Sequence, residues 1–324
     1  MSHDLSIRPL DGSKADYERF STLYKATELH GVADAEQRMK RDAMRREIGG
    51  VIDYWLAEQE GELVGIGTSF TLLRYAAPGR RFVELGVRPD KERMGIGRRL
   101  WGAMLEDLRR DGVTELIGTV CDHRPNALPF ALDAGFECIA GEVDHELRID
   151  LSTQDLDALQ PLVDRVAGEG IRLAGLTTLK AEVPDWFDRL YTLWTTCDSQ
   201  IPTTLSHTTP TPEAFRTTEL EGPNTLDDAY FIALDGDAWV GLSELRSNEG
   251  AEWPIFPGLT GVLPSHRGRG IATALKVLGL RWAKGAGHQR LQTHNAESNP
   301  GMRAVNERLG FRRCASWHSV RRRL

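Results

Sequence analysis

The sequence is short of several things, and each shortage narrows what the protein is. It has 4 cysteines in 324 residues (Cys121, Cys138, Cys197 and Cys314), with no CxxC pair and no histidine partner at zinc-ligand spacing. That speaks against a disulfide framework and leaves no expected metal site; scattered free thiols fit a cytoplasmic protein. No apolar run is long enough to span a bilayer, and the opening "MSHDLSIRPL" lacks the charged-then-apolar layout of a secretory leader, so no membrane partner is expected. Positive charge is also in deficit. The 40 Lys and Arg face 47 Asp and Glu, a net charge of -7, which argues against a general nucleic-acid binder because phosphate backbones reward an excess of cations. There is no GxxxxGK[ST] loop, and the one dinucleotide-like glycine cluster lacks its third glycine.

What is present is a globular composition, 40% hydrophobic and 27% charged, over a length that suits two domains. The chain also contains itself twice. "GVRPDKERMGIGRRL" at 86–100 aligns with "GVLPSHRGRGIATAL" at 261–275, so that Gly95 and Gly270 stand 175 residues apart. The same offset joins "AGF" at 134–136 to "LGF" at 309–311, and "GELVGIG" at 61–67 pairs with "DAWVGLS" at 237–243. Marks in one order at a near-constant offset indicate two copies of one domain. We place the N-terminal copy at 1–150, a linker helix at 151–168 and the C-terminal copy at 169–324. In the linker, Ser152 or Thr153 is expected to cap a helix that Gly168 ends. The C-terminal copy carries a Thr-, Pro- and Ser-rich insertion, "CDSQIPTTLSHTTPTPEAF", at 197–215, a loop composition at a length that usually binds something or is disordered.

Within each copy the pattern is strand, helices, a hairpin, then strand, helix, strand, helix. "AYFIALD" and "AWVGLSELR" flank an Asp-Gly turn, "FPGLTGVLP" is a strand, and Ile271, Leu275, Leu278 and Trp282 mark one face of the next helix. "NPGMRAVNERLG" reads as a short helix capped by Asn299, with Pro300 at its first position. The fold class is α/β, with a mixed sheet in each copy.

The strand ending at Pro264 and the helix starting near Gly270 enclose "SHRGRGIA". A loop there leaves backbone N–H groups free at the positive end of a helix dipole, and Gly268 and Gly270 let a ligand approach the backbone. The arrangement suits a pyrophosphate, with Arg267 and Arg269 at its rim. An ordinary strand-to-helix turn is the alternative.

These residues resemble the GNAT N-acetyltransferase superfamily. Its acetyl-CoA loop reads Q/R-x-x-G-x-G/A, which Arg267, Gly270 and Ala272 fill, and Asn295, Asn299, Met302, Asn306, Leu309, Gly310 and Phe311 fill a second cofactor segment of one branch. The resemblance covers both halves, in the tandem layout of the mycothiol synthase-like bacterial acetyltransferases. It implies two tandem GNAT folds, each a mixed, mostly antiparallel central sheet flanked by helices, with acetyl-CoA as cofactor. The implied cofactor residues are Val262, Arg267, Gly268, Arg269, Gly270, Ile271, Ala272, Asn295, Asn299, Met302 and Asn306. A backbone N–H near Val262 is implied to meet the thioester carbonyl.

The copies are unequal. The first keeps Val87, Gly95 and Gly97 as a possible second cofactor site, but Glu92, Arg93 and Met94 replace Arg267, Gly268 and Arg269. A carboxylate there is expected to repel phosphate, and Arg93 to lack glycine's backbone freedom. Val120, Arg124, Ala127 and Ala131 replace Asn295, Asn299, Met302 and Asn306. The C-terminal copy is therefore expected to be catalytic. Members of the family often place a general base where the first copy has Glu84 and the second has Leu259, and an acid tyrosine where the second has Asn306. Candidate bases for the C-terminal copy are Glu244 and Asp198, with His207 as a proton shuttle. The expected activity is acetyl transfer from acetyl-CoA to a primary amine of a small molecule. The alternatives are acetylation of a protein or peptide, or a non-catalytic acyl-CoA-binding regulator. The expected state is a monomer or homodimer.

Overall fold

Each copy begins with an edge strand and helices, then runs through a hairpin into the strand that delivers the glycine-rich loop. In the computed structural model, which describes residues 5–27, 29 and 34–324, the first copy supplies β1 (Leu5–Pro9), α1 (Lys14–Ala26), α2 (Ala35–Glu47), β2 (Ile52–Gln59), β3 (Glu62–Phe70), β4 (Arg80–Val87), α3 (Ile96–Arg110), β5 (Glu115–Cys121), α4 (Ala127–Asp133) and β6 (Glu137–Asp150). After α5 (Gln160–Gly168) the second supplies β7 (Ile171–Gly175), α6 (Leu176–Glu182), α7 (Trp186–Asp198), α8 (Pro212–Phe215), β8 (Thr225–Asp235), β9 (Ala238–Ser247), β10 (Ile255–Val262), α9 (Ile271–Gly285), β11 (Arg290–Ala296), α10 (Pro300–Arg308) and β12 (Arg312–Arg323).

The strands form one 12-stranded sheet in the order β1-β2-β3-β4-β5-β12-β6-β11-β10-β9-β8-β7. Only β4–β5 and β10–β11 are parallel. The two copies trade their last strands. β12 pairs with β5 (Trp317 opposite Cys121), while β6 pairs with β11 (His145 opposite Asn295), and the two traded strands pair with each other at the centre. Neither 1–150 nor 169–324 therefore holds a complete sheet of its own. Val320 of β12 lies in the first copy's core with Leu100 and Met104, whereas Leu147 and Ile149 of β6 lie in the second's with Val277 and Phe311. Each such buried aliphatic contributes about 1.5–3 kcal/mol, so the exchange ties the stability of the halves together.

Three local expectations need correction. The linker helix starts at Gln160, not at Ser152 or Thr153, and Pro161 explains it: proline suits a first turn and would break a helix interior. On α9 the buried residues go nearly all round, including Ala274, Val277, Leu280 and Lys276, because α5 and α10 flank a helix whose inner side already lies on the sheet. The insertion between α7 and α8 is an ordered bridge to the other copy. Thr208 donates its N–H to Arg74 O (2.7 Å) and its hydroxyl to Ala76 O (3.0 Å), Arg80 donates to Ser206 Oγ (2.9 Å), and Thr203 donates to Glu142 (3.1 Å). Asn299 caps α10 as expected, accepting from Met302 N–H at 3.2 Å. Among the described residues no helix is long and apolar enough to cross a membrane.

Candidate active site

Two openings form in the sheet where parallel neighbours part. β4 and β5 are paired from Arg80 to Phe82 and then diverge, and β10 and β11 meet only at Ile255 and Leu291. The first opening is a cleft of about 500 Å³ lined by Glu84, Val87, Gly95, Gly97, Trp101 and Trp317, so the traded strand β12 completes its wall.

The loops at the mouths have the same backbone. Gly268 (φ 78°) and Gly270 (φ 81°) are left-handed, and so are Arg93 (φ 66°) and Gly95 (φ 83°). The expectation that Arg93 could not follow glycine is thus wrong, although a side chain in this region costs about 1–2 kcal/mol. Glu92 is not a bare carboxylate either: Arg124 holds it at 2.7 Å and Asn126 at 3.3 Å. Neither α3 nor α9 has a side-chain cap, so the first N–H groups of both helices are left for an anion. Ile271 is 1% exposed and packs with Val166, Val262 and Leu275, which leaves only its backbone for a ligand. Ala272 beside it is half-buried. The rim arginines are engaged: Arg267 donates to Val262 O (3.1 Å) and pairs with Gln200, and Arg269 reaches Glu169 (3.1 Å) and Asp235 (3.4 Å).

The second opening differs in three ways. First, β10 is bulged. Pro257 faces Leu245 and Thr260 faces Ser243, so Gly258 and Leu259 together oppose Glu244, whereas β3 and β4 run in unbroken register. Leu263 donates to Val240 O on β9 (2.9 Å), so strand alternation turns the Val262 N–H toward the opening. Second, polar residues stand at the repeat positions of Val120 and Ala131. Asn306, fully buried, donates to Asn295, and its own Oδ1 has no hydrogen-bond partner. Met302 is half-buried on the same helix, while the Asn299 oxygen is spent as a cap. Third, Lys276 takes the position of Trp101. It lies 5.9 Å over the Phe311 ring with no carboxylate in ion-pair reach among the described residues, and burial pushes its ammonium down to about 8. The sequence reading missed Lys276; its signal was a lone lysine inside "IATALKVLGL".

The candidate acids fall in separate places. Glu84 faces the first cleft and accepts from Tyr24 OH at 3.2 Å. Glu244 is not an open base. It is sealed under the bulge, accepting from Arg246 (2.9 and 3.1 Å) and from Leu259 N–H (3.2 Å), while Glu219 holds the other side of Arg246 (2.6 Å). Burial raises its pKa against the pull of Arg246. Asp198 ends α7 with no exposure, between Arg74 (2.9 Å) and His207 (2.5 Å). Its pKa is also raised by burial, which Arg74 and His207 oppose. Elsewhere Cys121, Asp122 and His123 bring three potential ligand atoms within 4.8 Å, and burial holds the thiol at about 11, the protonated form.

Two uncapped helix N-termini at the mouths of strand splays give an α/β fold with two places suited to an anion. Residues 24–148 match the acetyltransferase (GNAT) domain and residues 187–311 the acetyltransferase (GNAT) family. The chain belongs to this family, with two copies of its domain, and the family chemistry is acyl-CoA-dependent acetyl transfer. Among solved structures it is similar to a tandem GNAT protein from the clavulanic acid biosynthesis pathway, at 20% identity over 99% of this chain and 98% of that one, with a TM-score of 0.73. It is also similar to a GCN5-related N-acetyltransferase from Sphaerobacter thermophilus, at 19% identity, 98% and 95% coverage and a TM-score of 0.67. A third is a glucosamine N-acetyltransferase region of a fungal multi-domain β-N-acetylglucosaminidase, at 14% identity, covering 99% of this chain and 38% of that one, with a TM-score of 0.69. At these identities the likeness is one of fold. No curated protein matches the sequence.

Proposed function

We propose that the protein is an acetyl-CoA-dependent N-acetyltransferase that acts on a primary amine of a small molecule, with catalysis in the C-terminal copy. The observation that carries this reading is the buried, unpartnered Oδ1 of Asn306. An amide oxygen left that way costs about 1–3 kcal/mol unless a ligand donates to it. Lys276 on α9 is a second buried polar group of the same copy, with no carboxylate in ion-pair reach among the described residues. The N-terminal cleft has Ala131 and Trp101 at those positions. Acetyl-CoA, when bound, supplies an acetyl group activated on sulfur. The α9 N-terminus, Gly268 and Gly270 would hold its pyrophosphate, Asn295 and Asn306 its amide arm, and the Val262 N–H would polarise the carbonyl.

The acceptor side supports a cationic amine. Asp198, Glu219 and Glu142 gather near the end of α7 and the insertion. The test is thiol release from acetyl-CoA with polyamines, amino sugars, amino acids and peptides, together with binding stoichiometry by calorimetry. Turnover on a small amine that Arg267→Glu removes is the expected result. Turnover confined to peptides would favour protein acetylation, and binding without any turnover would favour a regulator. The preserved loop and open cleft of the first copy support a second acetyl-CoA there, which a stoichiometry of two would reveal.

A further inference from the structure

The acceptor side of the C-terminal copy contains a residue from the other copy. Arg74 sits between β3 and β4 of the first copy, and its guanidinium lies 5.3 Å from the Trp194 ring of α7 and 2.9 Å from Asp198 Oδ1. The other oxygen of Asp198 meets His207 Nε2 at 2.5 Å. His207 belongs to the insertion, which hydrogen bonds to Arg74 O, Ala76 O and Arg80 pin in place, and the Tyr75 ring meets it edge-on at 6.3 Å. A carboxylate on Nε2 fixes that nitrogen as the proton-bearing one and leaves Nδ1 with its lone pair.

The row ends beside the reacting strand. Cys197, next to Asp198, packs against β10 so closely that a Cβ on Gly261 would lie 2.5 Å from the Cys197 Cβ. Gly261 precedes Val262, whose N–H faces the opening. Glu244, the other acid near β10, is already saturated by its donors.

We propose that His207 is the general base of the C-terminal copy, with Asp198 and Arg74 as its positioning residues, so that the active site is assembled from both copies. This rests on the transferase reading above. His207 Nδ1 takes one proton from the acceptor ammonium and passes it to solvent. The freed amine forms a bond to the acetyl carbon as the carbon–sulfur bond breaks, and a second proton from the nitrogen goes to the departing sulfur. The products are the amide, the free thiol and one released proton. The charged and titratable groups around the row are Arg74, Arg80 and Tyr75 from the first copy's loop and β4, Glu142 and Asp144 from β6, and Glu219 after α8.

The test compares pH profiles of kcat/KM, measured by thiol release with spermidine, glucosamine and a dipeptide as acceptors, in the full chain. His207→Gln keeps a donor for Asp198 but accepts no proton; kcat/KM should fall ~100-fold or more and the acidic limb should vanish, with acetyl-CoA affinity unchanged. Asp198→Asn should move the acidic limb to lower pH, because the imidazolium loses its anion, and Arg74→Gln should move it to higher pH, because that anion loses its competing cation. A structural role alone would not produce opposite shifts. An unchanged acidic limb in His207→Gln at near wild-type kcat/KM overturns the assignment while leaving the transferase reading intact. Full turnover in Arg267→Glu would instead overturn catalysis in the C-terminal copy, and the base with it. Should His207→Gln fold poorly, NMR titration of the wild-type ring decides: a proton on Nδ1 in the neutral form overturns the proposal.

Discussion

The two openings in the sheet share one loop backbone and diverge in what surrounds it. The N-terminal cleft keeps left-handed Arg93 and Gly95, an uncapped α3 and about 500 Å³ of space, yet its wall is Trp101, Ala131 and Phe136, and its acid Glu84 stands on an unbulged strand. The C-terminal opening has glycine at both left-handed positions, a bulge in β10, and buried Lys276 and Asn306 on α9 and α10. The acid has also changed strands. Glu84 corresponds to Leu259 in the second copy, and the cross-strand neighbour of Glu84, Thr68, corresponds to Glu244. One copy thus keeps the groups that serve a fold and an apolar wall. Both copies hold buried polar atoms without partners, Thr68 and Ser69 in the first and Asn306 in the second, but only the second has an amide and a lysine where the first has alanine and tryptophan.

The largest expected effect tests whether the copies are separable at all. Trp317 on β12 is 7% exposed, borders the first cleft and donates to Glu146 of β6 at 3.1 Å. Trp317→Ala should cost about 3–5 kcal/mol. Because β12 and β6 are exchanged, urea unfolding should show the loss in one shared transition, and two transitions with only the first shifted would break the coupling. Next, Arg267→Glu should weaken acetyl-CoA binding in the C-terminal copy by ~100-fold, about 3 kcal/mol, through a carboxylate placed at the α9 N-terminus. Calorimetry on Glu92→Gln, the matching change in the first copy, should show a much smaller effect; equal effects would erase the asymmetry.

Lys276→Met should raise stability at neutral pH by about 1–3 kcal/mol and weaken acetyl-CoA binding by ~10-fold, a combination expected of a ligand-facing cation rather than a packing residue. The pH dependence follows the same logic. Burial lowers Lys276 from the usual 10.5 to about 8, so between those values the unfolded chain binds more protons than the folded one. Its contribution makes stability rise with pH across that window, and Lys276→Met should remove the slope from pH-dependent unfolding curves. The smallest effect belongs to Arg93→Gly. Relief of the left-handed side chain should stabilise the protein by about 1 kcal/mol, seen as a rise of about 1–2 degrees in Tm, and no gain would mean that Arg93 makes a compensating contact.

Much of the fold was legible in local signals: the Asp-Gly hairpin, the Asn299 cap with Pro300, and the repeat of the glycine loop 175 residues on. The linker helix begins later than its apolar spacing implies because Pro161 suits only a first turn, and so fixes the start at Gln160. Lys276 and Asn306 differ in the same respect. Asn306 lay in a recognisable segment, but the burial of Lys276 depends on α9 being enclosed by neighbours that its own periodicity does not reveal. The left-handed Arg93 was hidden because residue identity sets a preference for φ, and the surrounding loop sets its value.

By itself the sequence determined two copies of one α/β unit, their family resemblance, and which copy retains the polar residues of a cofactor segment. These are local properties, read from residue types at fixed spacings. Only the tertiary structure decided that β6 and β12 change places, that Glu244 is sealed under a bulge, and that Arg74 reaches Asp198 across the halves. The strand exchange and the Arg74–Asp198 pair join residues more than a hundred positions apart, and the bulge sets a register between neighbouring strands; packing and ion pairing decide all three, and no local pattern carries the information.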